Sequence, residues 1–157
     1  MPNPPARDPR PRATDPALQD TVRLSAKGLA KVLGDLEARV LRGVWDLKYP
    51  ATAREVHARV FRRHKVELLT VITVLNKLVA KSILSRAKQD DLLHYSSRFT
   101  EEDFMAMASR RVVEGILSLG PEAVSASLVD VLAERDPEQL AELGRLIRRR
   151  LKAEGKS

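Results

Sequence analysis

Residues 66–97 read VELLTVITVLNKLVAKSILSRAKQDDLLHYSS, and a change of period inside this stretch decides the fold. From Leu68 to about Lys81 the apolar positions Leu68, Val71, Ile72, Leu75, Leu78 and Val79 recur every three or four residues, which predicts a helix with one inner face. Beyond Lys81 the pattern is too short and too alternating for another helix. Its polar centre, Gln89-Asp90-Asp91, separates two strand-like arms, which predicts a β-hairpin.

Upstream, Leu33, Leu36, Val40, Leu41, Val44 and Leu47 recur at helical spacing, with Trp45 beside them, which predicts a helix over about 27–48. Pro50 stops it. Thr52 followed three residues later by Glu55 is a capping box, so a second, short helix starts there and buries Val56, Val60 and Phe61. Arg62, Arg63, His64 and Lys65 then form a basic connector. Helix, helix, helix, hairpin is the order of a winged helix, the hairpin being the wing.

Downstream of Phe99 the pattern is wholly helical. Thr100 with Asp103 resembles another capping box ahead of Phe104, Ala108, Val112, Val113, Ile116 and Leu117. Gly120-Pro121 ends that helix and begins one lined by Val124, Leu128, Val131 and Leu132. Asp136-Pro137-Glu138-Gln139 supplies an N-cap, a first-turn proline and a capping Gln for the last, whose stripe is Leu140, Leu143, Ile147 and Leu151. Three short amphipathic helices after a self-contained winged helix need a cover for their apolar faces. A partner subunit is the natural one, so Ile116, Val124, Leu128, Leu140, Leu143, Ile147 and Leu151 are the expected dimerisation residues. The expected fold class is therefore mainly α: a winged helix-turn-helix domain of three helices plus a β-hairpin wing over 23–99, then a C-terminal helical dimerisation region over 100–157.

Six of the nine prolines fall within residues 1–16, among Arg and Asp and with few large apolar groups, so residues 1–22 are expected to be a disordered tail. Its sequence lacks the apolar core of a signal peptide, and no apolar run approaches the roughly 20 residues that cross a bilayer. A cytoplasmic chain without membrane partners is expected. The absence of cysteine removes disulfides, thiolate nucleophiles and every metal site that needs a Cys ligand. His57, His64 and His94 stand apart in sequence, and neither a glycine-rich phosphate loop nor HExxH spacing occurs. No enzyme activity, cofactor or metal is expected.

The formal charge of +7 is unevenly distributed. Residues 1–22 carry three Arg and three Asp, residues 23–99 carry 16 Lys/Arg against seven Asp/Glu, and residues 100–157 carry nine against eleven. The electropositive part is thus the winged helix. The outward positions of its third helix are Thr70, Thr73, Asn76, Lys77, Ala80 and Lys81, and Thr70, Thr73 and Lys77 share one stripe. Such a stripe fits the major groove: Thr meets thymine methyls or phosphates, Asn pairs bidentately with adenine, Lys reaches guanine or the backbone. Arg62, Arg63 and Lys65 before the helix, and Arg86 and Lys88 on the wing, offer charge to the phosphates on either side. Tyr95, on the returning wing strand, is counted with them as a phosphate-contacting or packing group. The expected partner is double-stranded DNA; a winged-helix protein-interaction module and an architectural DNA binder without sequence preference are the alternatives.

The stretches LGDLEARVLRGVWDLKYPATAREVHARV and LLTVITVLNKLVAKSIL, with the hairpin that follows to Tyr95, resemble the penicillinase-repressor family of the BlaI/MecI/CopY type over roughly residues 33–150. The resemblance implies a homodimer with interlocked C-terminal helices whose winged helices read a near-palindromic operator and block transcription. It also implies release by an inactivating protease or another inducer. Family members of the antibiotic-resistance systems are cut at an Asn-Phe bond, but the corresponding stretch here is Leu128-Val129-Asp130-Val131, which argues against the same cut. The copper-sensing branch carries C-terminal cysteines, and their absence argues against copper. Ser82 stands where the family usually has glycine before the wing, and Asp90-Asp91 occupy the wing turn where glycine is usual, so a weak wing-tip contact with phosphate is expected.

Overall fold

The computed structural model describes residues 17, 18 and 22–155. Most of the expected N-terminal tail lies outside the described residues, but Ala17 donates its N–H to the Lys81 carbonyl at 2.9 Å and Leu18 packs against the core.

Residues Gly28–Lys31 form a single 3-10 turn, and α1 begins only at Asp35 and runs to Leu47. The expected continuous helix over 27–48 is therefore broken. The backbone of Gly34 is extended (φ −65°, ψ 154°), and Gly28 adopts a left-handed φ of 52°. Leu29, Val32 and Leu33 nevertheless enter the core, because a 3-10 turn also buries residues three or four apart. Strand β1 is only Ala51–Thr52, and α2 spans Ala53–Phe61. As expected, Thr52 caps α2: its Oγ1 accepts from the Glu55 N–H at 3.3 Å. Glu55 also accepts a hydrogen bond from Tyr49, which, with some desolvation and its negative charge, pushes the exposed phenol's pKa above the ordinary tyrosine value.

Helix α3 spans Leu68–Ala80, and the hairpin follows as β2 (Leu84–Gln89) and β3 (Leu92–Ser97). The register pairs Leu84 with Ser97, Arg86 with Tyr95 and Gln89 with Leu92. The sheet has the order β1-β3-β2, with Ala51 opposite Tyr95, so the wing is rooted in the chain segment that opens α2. Asp90 and Asp91 have φ of 50° and 63°, the paired left-handed conformation of a two-residue hairpin turn that Asp tolerates better than most residues. Val40, Leu41 and Val44 of α1, Val56 of α2, Val71, Leu75 and Leu78 of α3, and Ile83, Leu84 and Tyr95 around the hairpin make one core.

Between α3 and the wing, Ser82 donates its N–H to the Val79 carbonyl at 3.0 Å and Ile83 donates to Leu78 at 3.0 Å, the Schellman pattern that ends a helix. Ser82 sits at its left-handed position with φ 62°. A Cβ there costs roughly 1–2 kcal/mol, part of which glycine gives back as entropy of the unfolded chain. Ser82→Gly is expected to stabilise the protein by about 1 kcal/mol, raising the melting midpoint by a few degrees. An unchanged or lower midpoint in thermal unfolding would show that the Ser82 side chain offsets this strain.

Helix α4 spans Glu101–Leu117, and Thr100 Oγ1 accepts from the Asp103 N–H at 3.1 Å, closing the expected cap. Its start is held by aromatic packing: Phe104 is buried, its ring 5.7 Å from that of Trp45 in an edge-on arrangement. Trp45 Nε1 donates to Ser97 Oγ at 3.0 Å and to the Phe99 carbonyl at 3.1 Å. The chain divides into two compact units at Val112–Val113, inside α4, so its first turns belong with the winged helix. The second unit holds the end of α4, α5 (Pro121–Arg135) and α6 (Pro137–Glu154), the last capped by Asp136, whose Oδ1 accepts from the Gln139 N–H at 3.1 Å. No residue of α5 or α6 is buried.

Candidate nucleic-acid interface

With Val71, Val74, Leu75 and Leu78 facing the core, the helical period turns Leu69, Thr73, Asn76, Lys77 and Ala80 outward on α3. Leu69, Thr73, Lys77 and Ala80 are exposed; Thr70 and Asn76 are half-buried. The expected stripe of Thr70, Thr73 and Lys77 is thus rotated. Its centre runs through Leu69 and Thr73, and Thr70 lies at the edge.

Hydrogen bonds then restrict what this surface can do. Thr73 Oγ1 donates to the Leu69 carbonyl at 3.0 Å. Asn76 Oδ1 accepts from Arg86 Nη1 at 2.7 Å and from the Tyr95 hydroxyl at 2.9 Å. Tyr95, expected among the DNA-contacting groups, is only 2% exposed, so it supports Asn76 from behind instead of facing solvent. Arg86 reaches from β2 to α3 and couples the wing to the helix. Lys81 turns to α1, where Nζ lies 2.7 Å from Glu37 Oε2. That pairing draws Lys81 away from the outward stripe.

Arg62, Arg63 and Lys65 are all exposed just before α3. The turn that carries them is pinned by His57, whose Nε2 donates to the Val66 carbonyl at 2.7 Å. Arg62 and Arg63 also rim a cleft of about 790 Å³ between α1 and the end of α2, which no residue of α3 or the hairpin lines. On the wing, Arg86 and Lys88 are exposed, and Lys88 lies 3.9 Å from Asp91 at the tip. Leu69 is the residue sequence reasoning missed: an apolar side chain was given no outward role, although its place four residues before Thr73 marks it as facing outward.

In the second unit, Ile116, Val124, Leu140 and Leu143 are half-buried, whereas Leu128, Ile147 and Leu151 are exposed. Among the described residues no cluster of three or more His, Cys, Asp or Glu could hold a metal, and no helix is long and apolar enough to cross a membrane.

Two curated relatives, each named transcriptional regulator BlaI, come from Mycobacterium tuberculosis strains CDC 1551 / Oshkosh and ATCC 25618 / H37Rv. Each is 31% identical over 74 residues, covering 47% of this chain and 54% of the relative. The chain spans about half the length of these relatives. The family model described as penicillinase repressor matches residues 33–149, from the end of the first buried turn through most of α6. A three-helix and hairpin fold, and a match covering most of the chain, place it: the chain belongs to the penicillinase repressor family.

Proposed function

We propose that the chain is a sequence-specific DNA-binding transcriptional repressor that acts in the cytoplasm as a homodimer on a near-palindromic operator. The observation that carries this reading is the exposed face of α3, set between exposed cations at Arg62, Arg63 and Lys65 on one side and Arg86 and Lys88 on the other. Residues 23–99 serve as the reading head, with α3 in the major groove and the flanking cations on phosphates. Residues 100–157 supply the dimer. A twofold dimer places its two reading helices on half-sites about one helical turn apart, which is why the operator is palindromic.

Selection from random DNA with the whole chain is expected to enrich a palindromic site. Lys77→Ala should weaken binding to it by about tenfold, a loss of one groove contact. Binding should also fall steeply with salt, each neutralised phosphate adding about −0.9 to the log–log slope. Recovery of no enriched sequence would refute the proposal in favour of an architectural or protein-docking role.

A further inference from the structure

Asn76 has one acceptor atom, Oδ1, which carries two lone pairs. Both are occupied, one by Arg86 Nη1 at 2.7 Å and one by the Tyr95 hydroxyl at 2.9 Å. The amide Nδ2 has no hydrogen-bond partner among the described residues and keeps two N–H groups to offer. Bidentate recognition of adenine needs an asparagine that accepts from N6 while donating to N7. Asn76 can do only the second. Held by a buried tyrosine and an arginine from the wing, it is a donor and nothing else.

The surroundings of that donor are apolar. Leu69 is 73% exposed at the first turn of α3, an unusual place for leucine in a chain that buries most of its large aliphatic residues in this domain. Thr73 commits its hydroxyl proton to the Leu69 carbonyl at 3.0 Å, so what this exposed side chain keeps for a base edge is its methyl and an acceptor oxygen, with no proton to donate. Ala80 continues the stripe with another methyl.

We infer that α3 reads thymine: the Asn76 amide donates to an acceptor on the base edge while Leu69 and the Thr73 methyl pack on thymine C5 methyl groups. Thymine is the base whose major-groove edge presents an O4 acceptor beside a methyl. Cytosine presents an amino donor that would oppose the Asn76 amide, and guanine has acceptors but no methyl. The inference rests on the DNA-reading role proposed above and sharpens it to a base preference.

The test uses the full chain, its selected operator, and duplexes in which single thymines are replaced by deoxyuridine, which removes only the C5 methyl. At one or more positions in each half-site, binding should weaken about fourfold for each methyl lost. Leu69→Ala alters an exposed side chain, so the fold is retained, and it should bring the thymine-to-deoxyuridine ratio close to one at one or more of those positions. The base position whose preference relaxes in Asn76→Ala should be thymine. Equal binding of every deoxyuridine duplex, a penalty that survives Leu69→Ala at every sensitive position, or an adenine opposite Asn76 would each overturn the inference while leaving DNA reading intact. A chain that enriches no sequence overturns the DNA-reading role itself, and the inference with it.

Discussion

Replacing Arg62, Arg63 and Lys65 together by glutamate is expected to abolish retention on DNA at moderate salt, weakening operator binding by at least about a hundredfold. All three are exposed in the turn between α2 and α3, and none of their side chains makes a hydrogen bond or ion pair within the described residues, so the change removes three cations and adds three anions without disturbing the core. If each neutralises one phosphate, the salt slope should flatten by about 3 × 0.9 units per protomer. The wing adds no cation to replace them: Arg86 and Lys88 serve their own flank, with one Arg86 nitrogen on Asn76 and Lys88 3.9 Å from Asp91. Because Arg62 and Arg63 also rim the cleft against α1, binding and folding must be read separately. Unchanged thermal unfolding with lost DNA retention is the expected pair of results. A charge-reversed protein that still binds its operator would move the phosphate contacts elsewhere and favour protein docking as the role of this turn.

What the sequence disclosed was local chemistry. The caps at Thr52, Thr100 and Asp136 were legible because each is a side chain and a backbone N–H three residues apart. The periods of α3 and of the hairpin were legible for the same reason. Strand β1 was not: Ala51 and Thr52 form a strand only because β3 returns from far along the chain to pair with them. The break before α1 was hidden because a 3-10 turn buries Leu29, Val32 and Leu33 at nearly the spacing of an α-helix. At the candidate interface, charge and polarity singled out α3 and its flanks. They could not show that Tyr95 lies under Asn76, or that Arg86 crosses from the wing, since both contacts join elements separated in sequence. Leu69 escaped because an apolar residue reads as core unless its angle on the helix is fixed by its neighbours.

Replacing Ile147 and Leu151 by aspartate is expected to yield a folded monomer that binds the operator 10²- to 10⁴-fold more weakly. Ile147 and Leu151 are 50% and 64% exposed, and with Leu140 and Leu143 they form the apolar stripe of α6. On its polar side, Arg145 and Arg149 pair with Glu142, and Arg150 pairs with Glu154. These charged groups are therefore paired within the helix, while Ile147 and Leu151 of the apolar stripe stay exposed among the described residues. Leaving apolar side chains in water forgoes about 25 cal/mol for each Å² that a partner would bury. A second copy presents the same stripe, and a twofold arrangement lets each cover the other. The effect on DNA follows from linkage. A dimer bound at one half-site holds its second reading head near the other half-site at millimolar effective concentration, whereas a monomer must find each half-site from solution. Sedimentation should report a mass near twice the chain for the parent and near one chain for the variant, with the thermal midpoint of the winged helix preserved. A parent chain that sediments as a monomer at micromolar concentration would remove the dimer, and with it the reason for a palindromic operator.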